Sequence, residues 1–167
     1  EKSLRCDLPK ASLREVYKGL GNAYMSRKEI PRAISYLLKA VELSPTDAAL
    51  HKQLSQCYRV NRQYEAAIQS LGKCIEIEPW VYDYYFTRGE LYSRLKKLEE
   101  SEEDFMFCLQ LSPVNLEPMM KIFENIFEYG IPGDFQKVQL FYECVGRIAS
   151  EVQIPDSFSH EMDQLRV

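Results

Sequence analysis

The chain reads YKGLGNAY at residues 17–24, HKQLSQCY at residues 51–58 and YFTRGELY at residues 85–92. These segments begin at Tyr17, His51 and Tyr85, which are evenly spaced, and we call this spacing the repeat interval. Each segment has a ring at both ends and a small residue in its fifth place. An interval that holds several residue types over three copies indicates a repeat architecture. A second set recurs in the same register: Ala33, Leu37, Ala40 and Pro45; Ala67, Leu71, Cys74 and Pro79; Ser101, Phe105, Cys108 and Pro113.

Each interval predicts two helices joined by a turn. Apolar residues from Ile34 to Val41 recur at helical spacing, and Pro31 suits the first turn of their helix because it lacks only an amide that would be unpaired there. Ser12 and Glu15 have the spacing of a reciprocal N-terminal cap. We therefore predict helices over 13–27, from Pro31 to the proline turn at 44–47, and over 48–61, 64–77, 82–95 and 98–111.

This pattern resembles the tetratricopeptide repeat family, whose unit is about 34 residues long, and the resemblance covers roughly two-thirds of the chain. It implies an all-α fold, a right-handed superhelical solenoid of helical hairpins. We expect a lead-in over 1–12 and three units within 13–115, at 14–47, 48–81 and 82–115. In each hairpin the small residue at Gly21, Ser55 or Gly89 should let the two helices approach closely.

The period fails after the third unit. Phe123 is bulky at the place where a small residue recurred, although the spacing of Met119, Ile122 and Ile126 still predicts a helix. We expect a divergent closing hairpin over 116–152 and a tail or short helix over 153–167. The hairpin would cap the exposed apolar end of the stack, with a partner-binding or self-association surface as the alternative.

Composition excludes several classes of function. A length of 167 residues with 46% apolar residues suits one domain, and a net charge of −4 without a Lys/Arg cluster argues against nucleic-acid binding. No apolar run approaches the ~20 residues that would insert in a membrane. Cys74 and Cys108 replace Ala40 in the register and should be packing residues, too far apart for a disulfide. We expect an intracellular protein, cytoplasmic or nuclear.

The residues suited to catalysis are few. The chain has two histidines, His51 and His160. His51 stands at the register place of Tyr17 and Tyr85, which we expect to be buried, so it is not suited to catalysis. Metal-ligand spacings and phosphate-binding loops are missing, so we predict no enzyme activity, no metal and no cofactor. Ser101 lies in an acidic run that would attract a kinase, but its register place is a small packing site. The run itself, from Glu99 to Asp104, should be a solvated helix face.

The resemblance also implies where a partner would bind, because in this family the first helix of each hairpin lines a concave surface. Cations and amides there would hold an extended or helical peptide segment of a partner, which we expect to be acidic. The alternative is that these side chains are only a solvated face. The predicted groove residues are Lys18, Asn22, Lys52, Gln56, Arg59, Phe86 and Glu90.

A chaperone-tail clamp is a minor alternative. Co-chaperones of the family hold an acidic C-terminus with a Lys and an Asn from the first helix, an Asn from the third and two cations from the fifth. Lys18 and Asn22 match the first part. Gln53, Asp83 and Thr87 replace the rest, and Asp83 would repel a bound carboxylate.

Aromatic residues suggest two kinds of contact. Five aromatic residues lie at the junction of the second and third units: Trp80, Tyr82, Tyr84, Tyr85 and Phe86. They either seal the junction or anchor a partner, with Phe86 as the best candidate for an anchor. Phe107 takes the outward place of Lys39 and Lys73. With Phe127, it is our candidate for a lateral interface in the alternative function, a structural subunit of a larger complex or homo-oligomer.

Overall fold

The computed structural model describes residues 9–129, apart from the side chain of Phe127, and within them it has seven α-helices and no strand. Consecutive helices pack as the pairs α1–α2, α3–α4 and α5–α6, each pair packs on the next, and α7 packs on α6 and touches α5. The protein is thus an all-α solenoid of stacked hairpins. The helices are α1 Lys10–Ser26, α2 Ile30–Leu43, α3 Ala48–Val60, α4 Tyr64–Ile77, α5 Tyr82–Arg94, α6 Leu98–Leu111 and α7 Glu117–Tyr129.

The predicted helices agree closely with these bounds, except at the start of α1. That helix begins at Lys10, and its N-cap residue Pro9 offers no side-chain hydrogen bond. The amide of Leu13 already donates to the carbonyl of Pro9 at 3.0 Å, which places Ser12 inside the helix. The predicted cap at Ser12 is therefore wrong. A side-chain cap does start α3, where Asp47 Oδ1 accepts from the amides of Ala49 at 3.0 Å and Leu50 at 3.4 Å.

Close helix approach explains the recurring small residues. A Cβ atom on Gly21 would lie 2.7 Å from Cγ of Leu37, and one on Gly89 would lie 2.8 Å from Cε1 of Phe105. Leu37 and Phe105 are both completely buried, so a Cβ atom at either glycine would have to displace a side chain of the interior. The prediction that these positions bring the two helices of a hairpin together is confirmed.

Tertiary hydrogen bonds also recur at the repeat interval. His51 Nε2 donates to the carbonyl of Pro45 at 2.9 Å, and one interval later the hydroxyl of Tyr85 donates to the carbonyl of Pro79 at 2.8 Å. The buried thiols do the same: Cys74 Sγ lies 3.4 Å from the carbonyl oxygen of Ala48, and Cys108 Sγ lies 3.8 Å from that of Tyr82. Burial raises the pKa of Cys74 to about 11 and that of Cys108 to about 12. Their predicted packing role, and that of His51, is confirmed.

The turns inside the three hairpins share one backbone feature. Lys28, Arg62 and Lys96 have φ angles of 62°, 59° and 59°, in the left-handed region that L residues adopt at a cost of about 1–2 kcal/mol. These three residues also lie one repeat interval apart. Each turn therefore uses the same conformation, with an exposed basic side chain where glycine or asparagine would be less strained.

The third hairpin contains a buried ion pair. Arg88 Nε and Nη2 donate to the two carboxylate oxygens of Asp104 at 2.8 and 2.7 Å, and the Asp104 side chain is only 5% exposed. These hydrogen bonds raise the pKa of the Arg88 guanidinium, which also lies over the rings of Tyr85 and Tyr92. The prediction that the acidic run is a solvated helix face is therefore wrong at Asp104, because Arg88 occupies the apolar register place of Leu54 and pairs with this carboxylate inside the hairpin.

A polar network attaches α7 to the third hairpin. Asn125 Nδ2 donates to the hydroxyls of Ser93 at 2.8 Å and Ser101 at 3.1 Å, and the Ser101 hydroxyl donates to the carbonyl of Gly89 at 2.9 Å. Ser101 is fully buried, which confirms its predicted packing role.

The second helix of the closing hairpin, the tail at 153–167 and the part of the lead-in before Pro9 lie outside the described residues. Residues 10–12, which we expected in the lead-in, belong to α1. The unit boundaries themselves stay a prediction.

Candidate functional site

The first helices of successive hairpins lie side by side. Cys57 Sγ of α3 is 3.5 Å from Met25 Sδ of α1, and Lys52 Nζ of α3 is 3.5 Å from Asp83 Oδ2 of α5. Further on, α5 contacts α7. Helices α1, α3, α5 and α7 thus form one surface, which we call the first-helix face. Two recesses open between its helices.

The first recess lies between α3 and α5 and has a volume of about 50 Å³. It brings together three of the predicted groove residues, Lys52, Gln56 and Arg59, opposite Asp83 and Thr87. Gln56 and Arg59 are exposed, so their polar ends are available to a ligand.

Tyr84 forms a fixed wall of this recess. Its hydroxyl donates to Glu78 Oε2 at 2.7 Å, and burial together with this hydrogen bond raises the pKa of the phenol. The Lys52 ammonium lies 5.7 Å from the centre of the Tyr84 ring and 3.5 Å from Asp83. The lysine and aspartate side chains are 42% and 68% exposed, which makes theirs a weak, solvent-screened pair that a ligand can replace.

Lys18 and Asn22 of α1 line neither recess. Both are half-buried, and Asn22 Oδ1 is shielded from solvent with no hydrogen-bond partner among the described residues. On α3, Gln53 Oε1 is likewise shielded from solvent without a hydrogen-bond partner among the described residues. Gln53 stands where the chaperone-tail clamp has an asparagine. Amide oxygens that are buried and unpaired typically cost about 1–3 kcal/mol each.

Phe86, the predicted aromatic anchor, packs against other rings of the protein. Phe86 is half-buried, stacked on Tyr82 with 5.7 Å between ring centres, and tilted against Phe105 at 5.6 Å. Asn115 donates to the Tyr82 hydroxyl at 2.8 Å, and burial raises the pKa of Tyr82 to about 12. Phe86 therefore packs within the junction, and only part of its ring is exposed to a partner. Trp80 is 73% exposed and does not seal the junction, contrary to that interpretation.

Phe107, a predicted residue of the lateral interface, also packs against a ring of the protein. Phe107 is half-buried, and its ring centre lies 4.3 Å from that of Tyr85. It covers Tyr85 much as Lys39 lies over Tyr17 in an earlier unit. Less of this ring is free for a partner than the sequence predicts. Phe127 lies in α7, and its side chain is outside the described residues.

The second recess lies between α5 and α7 and is much larger, about 450 Å³. Glu90, the last predicted groove residue, faces Glu124 and Glu128 of α7 across it. Two cations, Arg94 and Lys121, also line it, together with Ser93, Asn125, Tyr64 and Tyr129.

The α7 residues of this recess were missed by sequence reasoning. Glu124 stands one repeat interval after Glu90, so the register contained the signal. Phe123 breaks the register at the neighbouring position and so obscures this correspondence.

Carboxylates outnumber cations by three to two among the residues that line the second recess. Lys121 Nζ donates to Glu124 Oε2 at 2.8 Å, and this hydrogen bond, reinforced by the charges of Glu90 and Glu117, raises the pKa of Lys121. Lys96 lies over the Tyr129 ring, 5.3 Å from its centre. Two of the protein's own cations are thus already held at this surface.

A third recess, of about 600 Å³, is lined chiefly by α4, with Leu38 and Val41 of α2 and residues of α3 and α5. None of the predicted groove residues lines it. Within residues 9–129, no group of three or more His, Cys, Asp or Glu side chains is placed to hold a metal ion. In the same part of the chain, no helix has the length and apolar character needed to cross a bilayer.

Solved structures with similar folds are helical repeat proteins. The first TPR of Spaghetti (RPAP3) bound to the HSP90 peptide SRMEEVD is 22% identical over 71% of this chain and 94% of that one, with a TM-score of 0.62. The Arabidopsis OM64 TPR domain is 22% identical over 70% and 97%, with a TM-score of 0.61. MamA is 20% identical over 83% and 79%, with a TM-score of 0.68. At such identities the likeness shows the fold alone.

Family models give the more specific result. A search of curated protein sequences found no significant match. Models described as tetratricopeptide repeat match residues 15–47, 36–69 and 82–115, which together make up more than half of the chain. They cover the first and third copies of the recurring pattern in full, and the second copy as far as residue 69. The chain belongs to the tetratricopeptide repeat family.

Proposed function

We propose that this protein is a non-catalytic interaction scaffold that binds an acidic peptide segment of a partner protein on its first-helix face. The observation that carries the proposal is the first recess, where Lys52, Gln56 and Arg59 converge. A guanidinium, an ammonium and an amide together offer donors to carboxylates and to the carbonyls of an extended backbone.

The energetics of the recess favour exchange of an internal partner for a ligand. Lys52 forms an exposed ion pair with Asp83 and lies over the Tyr84 ring, and no ion pair or hydrogen bond of the Arg59 side chain is found within residues 9–129. A ligand carboxylate between them would therefore gain charge-assisted hydrogen bonds and break one weak pair.

Related folds support peptide binding in general terms. The first TPR of Spaghetti (RPAP3) is bound to the HSP90 peptide SRMEEVD, and the second TPR domain of human RPAP3 is in complex with the HSP70 peptide SGPTIEEVD. Both peptides are rich in carboxylates. The chaperone-tail alternative is nevertheless disfavoured for this chain, because Asp83 and Thr87 face the first recess where a clamp needs cations.

The test is the binding of a fluorescein-labelled acidic peptide, EESGSQQ, measured by fluorescence anisotropy on the full chain. We expect Lys52→Gln/Arg59→Gln to weaken binding about tenfold or more, as expected for two charge-assisted contacts. Binding should also weaken as salt rises.

The control Arg27→Gln/Lys73→Gln makes the same change in net charge at exposed residues outside the two recesses of the first-helix face. Lys73 lines the third recess, which contains none of the predicted groove residues. If the control loses as much affinity as the recess variant, or if neither variant changes it, the proposed site is wrong.

A further inference from the structure

The first-helix face has opposite charges at its two recesses. The first recess has two cations, Lys52 and Arg59, against one carboxylate, Asp83. The second has three carboxylates, Glu90, Glu124 and Glu128, against the cations Arg94 and Lys121. The sign of the local charge therefore reverses across α5, which contributes to both.

The second recess already attracts positive charge. Lys121 is hydrogen-bonded to Glu124 and lies in the field of Glu90, while Lys96 covers the ring of Tyr129. Glu124 is 57% exposed in spite of its bond to Lys121, and Glu128 is exposed as well. Their carboxylates thus keep open positions for an additional cation. The tyrosine rings of the recess add the faces over which a guanidinium or ammonium group is favoured.

The two recesses are close enough for one short segment to reach both. They are separated by the width of α5, about 10 Å between the axes of packed helices. An extended chain advances about 3.3 Å per residue, so about three residues span this distance. A purely acidic segment that continued past α5 would place its carboxylates against Glu90 and Glu124, which is unfavourable.

Resting on the function proposed above, we propose that the bound segment carries both charges. Its acidic residues are held at Lys52 and Arg59, and a lysine or arginine about three residues away is held by Glu90, Glu124 and Glu128. The two recesses together then select a partner by the positions of its acidic and basic residues along the segment, as well as by its net charge. This excludes both uniformly acidic and uniformly basic segments as preferred partners.

The experiment compares the peptide EESGSRR, or its reverse RRSGSEE where that binds more tightly, with EESGSQQ on the full chain. The native protein should bind the two-charge peptide about three- to tenfold more tightly, the size expected of one or two partly exposed ion pairs. In Glu124→Gln/Glu128→Gln that advantage should disappear, while the affinity for EESGSQQ stays the same or rises.

The matched control is Glu42→Gln/Glu65→Gln, which removes two exposed carboxylates from α2 and α4 and should keep the advantage. Helical circular dichroism checks that each variant is folded. Equal binding of both peptides by the native protein, or an equal loss in the control, overturns this inference and leaves the acidic site standing. If the Lys52→Gln/Arg59→Gln variant binds EESGSQQ as the native protein does, the proposed function itself is wrong.

Discussion

Gly19 and Gly21 are near neighbours in α1 and have opposite surroundings. A Cβ atom on Gly19 would have nothing within 4 Å, whereas one on Gly21 would meet Cγ and Cδ2 of Leu37 at 2.7 and 2.8 Å. Glycine inside a helix costs roughly 0.5–1 kcal/mol relative to alanine, because it loses more backbone freedom on folding. The same residue type is therefore a cost at one position and a requirement at the other.

We predict that Gly19→Ala raises the free energy of unfolding by about 0.5–1 kcal/mol. Gly21→Ala should lower it by about 1–3 kcal/mol, since Leu37 must shift in a packed interior. Urea unfolding followed by circular dichroism measures both. Two changes of the same sign would show that helix propensity, and not the contact with Leu37, decides stability at Gly21.

Between α5 and α6, the ion pair of Arg88 and Asp104 stands where the second hairpin has Leu54 and Ser70. We predict that Arg88→Leu alone destabilises the protein by about 3–5 kcal/mol, because it leaves a buried carboxylate without a partner. The double variant Arg88→Leu/Asp104→Ser, which copies the second hairpin, should recover most of that loss. Thermal and urea unfolding of the two variants give the comparison, and a double variant as unstable as the single one would contradict it.

The same pair predicts a pH dependence. Burial raises the pKa of the Asp104 carboxyl, and Arg88 opposes that rise, so Arg88→Leu should raise it further. A carboxyl whose pKa is higher in the folded state than in the unfolded one destabilises the fold when ionised. The loss of unfolding free energy in Arg88→Leu relative to the native protein should therefore become smaller as the pH falls from about 7 towards about 4. Urea unfolding at a series of pH values measures this. The double variant should show no such change.

The helices themselves were largely predictable from the sequence. The bounds of α4 and α6 agree with prediction at both ends because the proline turns between units and the recurring apolar stripe mark them together. The start of α1 was not predictable in this way. The spacing of Ser12 and Glu15 is a capping pattern at a helix start, but it also occurs inside a helix that is already hydrogen-bonded from Pro9.

The burial of Asp104 and the second recess were not predicted, for different reasons. The burial of Asp104 depends on its pairing with Arg88 of another helix, which local pattern does not connect. The register does connect Glu90 with Glu124, but Phe123 interrupts it at the neighbouring position. A charged residue at a core register place, such as Arg88, is a signal that a partner must be found. Lys52, Gln56 and Arg59 could be placed together because one helix and one register hold all three.

At the scale of the whole molecule, the substantial contacts among the described residues join helices that are consecutive in the chain, and α5 also contacts α7. Stability in such a stack is approximately a sum over units and their interfaces. A local defect should therefore have a local effect.

We predict that Gly21→Ala increases amide hydrogen exchange most in α1 and α2 and least in α5 and α6. Hydrogen exchange with mass spectrometry measures this, with Gly19→Ala as the control that should not increase exchange in α1. An equal increase in every helix would mean that the protein unfolds as one cooperative unit.

The tertiary hydrogen bonds that recur from His51 to Tyr85 and from Cys74 to Cys108 have a consequence for evolution by duplication. The hydrogen bond at one junction between units is repeated at the next, and the thiol contact inside one hairpin is repeated inside the next. The chain can therefore gain a whole helical hairpin without needing a new kind of interface. Each added unit would extend the first-helix face by about 10 Å, which is about three residues of an extended ligand. The length of segment that this architecture can recognise is thus set by how many units it has, while the charges on each first helix set what is recognised.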